Sequence, residues 1–128
     1  MYFKKKKNKI LISSRPKQKE FSNFYEFPGG KVEKNELFLI ALQRELLEEL
    51  HIKIQLNKVI FFKSYCIKRD TQKIMLNFFI CDKWSGKINP MENQFFKWTT
   101  IENLSQENML FSNKKIINYL NLSRSLMK

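Results

Sequence analysis

The sequence predicts an α/β protein, on three observations. From Leu37 to Leu50 the chain consists of good helix formers without Gly or Pro. Two runs rich in Ile, Val, Phe and Tyr follow, Ile52 to Ile67 and Lys73 to Trp84, with Arg69-Asp70-Thr71 between them, the pattern of a β-hairpin. A second helical pattern closes the chain from Asn113 to Leu122, with Ile116, Ile117 and Leu120 facing inward and Ser112 placed to cap it. With 128 residues, 43% of them hydrophobic, and twelve Phe, residues 1–128 predict one domain with a sizeable core.

The elements before and between these follow in order. Lys4 to Lys9 reads as a basic turn and Ile10 to Ser13 as a short strand. Arg15 to Tyr25 is polar with scattered aromatics and no period, the pattern of a loop leading to a site. Gly29 and Gly30 relax the backbone ahead of the first helix. In that helix Leu39, Leu42, Leu46 and Leu50 form one apolar stripe, and Ile40 and Leu47 lie on another flank, which predicts packing from more than one side. Phe78 and its neighbours read as sheet core. Ser85 to Pro90 is a turn, and Met91 to Trp98 leads into a last short strand.

Charge adds a chemical constraint. Lys and Arg number 24 against 12 Asp and Glu, a net charge of +12, which fits nucleic acid, an anionic surface or a polyanionic small substrate. An AT-rich coding sequence would also produce such a composition by drift. Half of the acids, Glu26, Glu33, Glu36, Glu45, Glu48 and Glu49, fall within residues 26–49, so a basic body surrounds an acidic focus. Within the helix Glu45, Glu48 and Glu49 stand at i, i+3 and i+4 on one face, with Arg44 four residues before Glu48. Crowded carboxylates repel one another unless protons or cations compensate them, and hard divalent ions prefer oxygen ligands. Cys66 and Cys81 are too few for a disulfide framework or a zinc site. No apolar run approaches the roughly 20 residues that span a bilayer, so a cytoplasmic protein without a membrane partner is expected.

The spacing Gly30, Glu36, Arg44-Glu45-Leu46, Glu48-Glu49 and His51-Ile52 resembles the Nudix box of hydrolases that act on nucleoside diphosphates linked to another group. His51 stands where the family has a glycine that caps the helix in a left-handed conformation. The approach, Tyr25-Glu26-Phe27-Pro28-Gly29-Gly30-Lys31, resembles that of the MutT-type members. The resemblance implies a Nudix α/β/α sandwich with a mixed, curved sheet, whose first strand is expected to be truncated here to Tyr2-Phe3. It implies Mg²⁺ (Mn²⁺ as an alternative) held by Glu45, Glu48, Glu49, the Gly29 carbonyl and Glu92. Arg44 with Glu36 would orient these carboxylates, and Glu45 or Glu92 would be the general base.

Arg15 resembles the substrate-phosphate arginine, Phe27 the residue whose main chain meets the purine edge, and Asn113 the asparagine that hydrogen-bonds the oxidised purine. Asn113 has a second reading, as a helix-start residue satisfying its own backbone. Lys68, Arg69 and Lys73 are further phosphate candidates.

The activity so implied is hydrolysis of 8-oxo-dGTP, a nucleoside triphosphate substrate, to the monophosphate and pyrophosphate by a monomer without a stable nucleic-acid partner. Other Nudix substrates, such as ADP-ribose or a dinucleoside polyphosphate, are the first alternative. An inactive basic nucleic-acid-binding domain is the second, and the full set of box glutamates speaks against it.

Overall fold

The structure, a computed structural model, describes residues 2–5, 9–18 and 20–126. Its hub is strand β2 (Lys9–Ser14), reached from β1 (Tyr2–Lys5) and followed by the two-residue β3 (Tyr25–Glu26). Alternation along β2 explains the layers. Ile10 and Ile12 point into one apolar cluster with Phe27, Tyr65, Phe78, Ile116 and Leu120, while Leu11 points into another with Leu42, Leu46, Leu50 and Ile52. Helix α1 (Phe38–Leu50) covers the second cluster. After the short β4 (Lys53–Ile54), the hairpin strands β5 (Ile60–Arg69) and β6 (Gln72–Cys81), and the short β7 (Trp84–Ser85) and β8 (Phe96–Thr100), helix α2 (Lys114–Leu126) covers the first. The result is the expected α/β/α sandwich.

The main sheet is mixed. β1 pairs β6 in parallel through Tyr2 with Ile80 and Phe3 with Cys81, and pairs β2 antiparallel through Lys4 with Ile10. β8 runs antiparallel along β2 from Lys9 to Ser13, and β3 pairs the end of β2. The short first strand is therefore flanked by β2 and β6, and four residues suffice to join the two halves of the sheet. The basic turn read at Lys4 to Lys9 is too long, because Lys4 and Lys5 belong to β1 and Lys9 to β2, where Lys5 pairs Lys9; residues 6–8 lie outside the described residues.

Three local readings change. Ile52 to Ile67 is not one strand, because a 3₁₀ turn at Leu56–Lys58 separates β4 from β5. A 3₁₀ turn at Phe111–Asn113 also precedes α2, so that helix starts one residue later than expected. Packing of α1 from more than one side is also incorrect: Ala41, Leu42, Leu46 and Leu50 are buried, whereas Ile40 and Leu47 are 43% and 48% exposed. The helix lies on one sheet face, so only one stripe meets the core.

His51 closes α1 in the left-handed region, at φ 59° and ψ 35°, with its N–H on the Leu47 carbonyl and the Ile52 N–H on that of Leu46. The helix thus ends as it would with glycine, but with a Cβ in a disfavoured region. His51→Gly is expected to stabilise the protein by about 0.5–1 kcal/mol, the left-handed penalty less the added freedom of the unfolded chain. Thermal unfolding would register this as a rise in Tm of about 2–4 °C.

Candidate active site

Arg44, in the middle of α1, organises the acidic face. Its Nε and Nη2 donate to the two carboxylate oxygens of Glu36 at 2.8 and 3.0 Å, the forked geometry only arginine provides. Nη2 also donates to the Lys31 carbonyl at 3.0 Å, and Nη1 to Glu45 at 2.9 Å and Glu48 at 3.4 Å. The guanidinium, helped by the Glu33 N–H, holds the Glu36 carboxyl down at about 2. Glu36 is thus committed to Arg44, and Glu45 and Glu48 are drawn to the same cation.

Glu45 also lies against the glycine loop. A Cβ built on Gly30 would stand 2.1 Å from the Glu45 carboxyl carbon, so only glycine leaves this carboxylate its place. Gly29 adopts φ 153°, a setting that L side chains rarely take, and its main chain hydrogen-bonds Glu49.

Glu49 is the electrostatic centre. Burial first, and then the charges of Glu26, Glu92 and Glu45, push its carboxyl up from 4.5 to about 8, against the Gly29 hydrogen bond. The structure thereby places Glu45, Glu49 and Glu92 near one another with the Gly29 main chain, while Glu48 stands more exposed on the same helical face. Among the described residues no three acids yet converge as ready ligands around one point. The donor set nevertheless fits a hard divalent cation: it is all oxygen, it is self-repelling, and its most buried member retains a proton near neutrality.

A pH dependence follows. Because folding raises the Glu49 value, the native state binds more protons than the unfolded chain between about 4.5 and about 8. The contribution of Glu49 to metal-free stability is therefore fully present below that window and is lost as pH rises through it. A Tm lower by roughly 5 °C at pH 8.5 than at pH 5 is expected in EDTA, with Mg²⁺ restoring most at the alkaline end. A flat profile in EDTA would contradict the burial of this charge.

Glu26, on β3, was not singled out in the sequence. Its side chain approaches Glu49 and pairs with Arg15, whose Nη1 lies 3.5 Å from Glu26 Oε2. Arg15 also donates to the Glu20 carbonyl at 2.9 Å, so it stands at the site through Glu26. The local cue for Glu26 was its place directly before Phe27-Pro28-Gly29-Gly30.

Phe27 and Asn113 come together across 86 residues of sequence: Asn113 Oδ1 accepts the Phe27 N–H at 3.3 Å, and both residues are buried. Asn113 Nδ2 donates to Ser112 Oγ at 3.1 Å. Tyr65 and Phe78 stack nearby, 5.5 Å between ring centres, and Phe78 meets Phe27 edge-on, so Phe78 is core as expected. Beside Asn113 opens a cleft of about 520 Å³ bordered by Phe21, Phe24, Ile67, Leu110 and the lysines Lys68, Lys114 and Lys115. Of the hairpin phosphate candidates, Lys68 borders this cleft and Lys73 does not, while the Arg69 side chain lies outside those described.

A glycine loop, an arginine-ordered carboxylate helix and a loop glutamate on an α/β/α sandwich define a pyrophosphohydrolase of the Nudix type. The NUDIX domain family model matches residues 2–120, and the chain belongs to that family. It is 41% identical over 115 residues to an 8-oxo-dGTP diphosphatase of Buchnera aphidicola subsp. Schizaphis graminum, covering 90% of this chain and 85% of that one. It is 33% identical over 98 residues to a CTP pyrophosphohydrolase of Escherichia coli, covering 77% and 71%. Among solved structures it is similar to the E. coli ORF135 protein, with a TM-score of 0.83, 26% identity and coverage of 98% and 90%. Nudix hydrolases generally use a divalent metal, and no described helix of this chain is long and apolar enough to cross a membrane.

Proposed function

We propose that the protein hydrolyses 8-oxo-dGTP, and dGTP less well, to the nucleoside monophosphate and pyrophosphate with Mg²⁺, removing an oxidised precursor before replication. The observation that supports this reading is the joining of the Phe27 main chain, two residues before Gly29, to the Asn113 amide. An amide donates and accepts at once, so Asn113 can exchange its internal partners for the edge of a purine. Arg15 would meet the phosphate, and the +12 charge would draw a polyanion toward the acidic centre.

Glu45, Glu48, Glu49, the Gly29 carbonyl and Glu92 would hold the metal. When bound, the cation supplies charge neutralisation for the phosphates and acidification of the attacking water. Arg44 and Glu36 fix Glu45 and Glu48, so the carboxylates are oriented before substrate arrives. Glu45 and Glu92 are the two candidate acceptors of the water proton.

A second reading, a pyrimidine triphosphate as preferred substrate, is supported by the likeness to the CTP pyrophosphohydrolase. Pyrophosphate release from 8-oxo-dGTP, dGTP and CTP, with Mg²⁺ and with EDTA, separates the two. The expected result is Mg²⁺-dependent release favouring 8-oxo-dGTP, and a loss of about tenfold in kcat/KM for that substrate alone in Asn113→Ala, the effect of one or two lost hydrogen bonds. A preference for CTP, unaffected by Asn113→Ala, would replace the purine assignment.

A further inference from the structure

The loop between β7 and β8 is tied to the end of α1 by groups a helix leaves unpaired. Carbonyls in a last helical turn have no partner within the helix. Here the Leu50 carbonyl accepts the Asn89 N–H at 2.9 Å, and the Glu49 carbonyl accepts the Met91 N–H at 3.0 Å. The Glu49 carbonyl takes a second bond, from Gln94 Nε2 at 3.1 Å, and Gln94 Oε1 in turn accepts the Glu92 N–H at 2.8 Å. Gln94 is only 5% exposed, and Asn93 beside it adopts φ 59°, so the chain doubles back and the buried amide spans the turn. Beyond it, Phe95 is fixed to Ser14 on β2 by the bonds Phe95 N–H to Ser14 Oγ, 2.8 Å, and Ser14 N–H to the Phe95 carbonyl, 2.7 Å.

We propose that Gln94 is a positioning residue, whose one side-chain amide holds the Glu49 carbonyl and the Glu92 amide together and so sets Glu92 at the carboxylate end of α1. The chemistry selects the residue type. The bridge needs a donor and an acceptor on one planar group, which a side-chain amide supplies at any ordinary pH, and asparagine is one methylene shorter. Leucine fills the same space with neither function, and glutamate keeps the acceptor but loses the donor. The inference rests on the proposed role of Glu92 in the reaction.

The test combines Gln94→Leu, Gln94→Glu, Glu92→Gln and the double variant Glu92→Gln/Gln94→Leu. Steady-state kinetics with Mg²⁺ and amide hydrogen exchange of the metal-free protein are read on each. Gln94→Leu is expected to speed exchange at the Glu92 amide by about tenfold or more while the Leu46 and Leu50 amides keep their protection. It should lower kcat by about 30-fold with KM within about twofold, and the double variant should be no slower than Glu92→Gln alone, because both act through one group. Gln94→Glu, the variant of nearly the same shape, should show the same kcat loss. Unchanged Glu92 exchange, additive losses in the double variant, or wild-type kcat in Gln94→Glu each overturn the proposal. Wild-type kcat in Glu92→Gln would remove the role of Glu92 itself, and this inference with it, an outcome distinct from the other three.

Discussion

Glu49→Gln is expected to lower Mg²⁺-dependent turnover by about 10³-fold, roughly 4 kcal/mol of lost transition-state stabilisation, and to leave the fold intact. The same change should make the metal-free protein at least as stable as wild type at pH 8. Both effects come from one arrangement. Glu49 is half-buried beside Glu26, Glu92 and Glu45, so its negative form is disfavoured and its carboxyl rises to about 8. A neutral amide of the same size removes that penalty, and with it the steep part of the stability profile between about 4.5 and about 8. It also removes the charge that a divalent cation would compensate. A residue kept only for structure would not combine gain of stability with loss of function. Circular dichroism melts in EDTA at pH 5 and pH 8, beside pyrophosphate release with Mg²⁺, measure the pair. Near-wild-type turnover would remove Glu49 from the proposed metal set.

The helix and its chemistry were legible because both depend on residues close in sequence. Leu37 to Leu50 predicted a helix that begins at Phe38, and the spacing of Arg44 to Glu48 predicted their contact, found at 3.4 Å. The stripe Leu39, Leu42, Leu46, Leu50 predicted the buried face except at Leu39, which is only half-buried, but the number of faces covered depends on distant chain, and there Ile40 and Leu47 misled. The long reach of the site was less visible. Glu26 meets Glu49 only because β3 pairs the end of β2 and brings the loop back over α1. Gln94 was legible only as part of the spacing Glu92, Gln94, Trp98, and its role was not, since its partners are a main-chain carbonyl 45 residues earlier and an amide two residues before it. The resemblance to a family assigned Phe27 and Asn113 each to a purine, but the bond between the two residues themselves was not legible in the sequence. The first strand shows the opposite case: only Tyr2-Phe3 was legible as strand, yet the strand runs Tyr2–Lys5 and has neighbours on both edges.

Gly30→Ala separates folding from catalysis in another way. The backbone at Gly30 has no positive φ, so alanine meets no conformational penalty there; what it meets is the Glu45 carboxyl, 2.1 Å from the new methyl carbon. The two cannot coexist, and the side chain is the softer partner. Glu45 therefore swings away, breaking its 2.9 Å bond to Arg44 and leaving the face it shares with Glu48 and Glu49. Because Gly30 is itself exposed, little core packing is disturbed, and Tm should fall by no more than about 3 °C. Turnover should fall by about 10²-fold or more, since a displacement of an ångström or two at an orienting carboxylate is enough to misalign the reaction. A matched Gly30→Ser variant should behave alike, because the obstruction is the Cβ and not the polarity. If Gly30→Ala retained wild-type kcat, the Glu45 rotamer seen against Gly30 would not be the one that works, and Glu92 would be left as the candidate base.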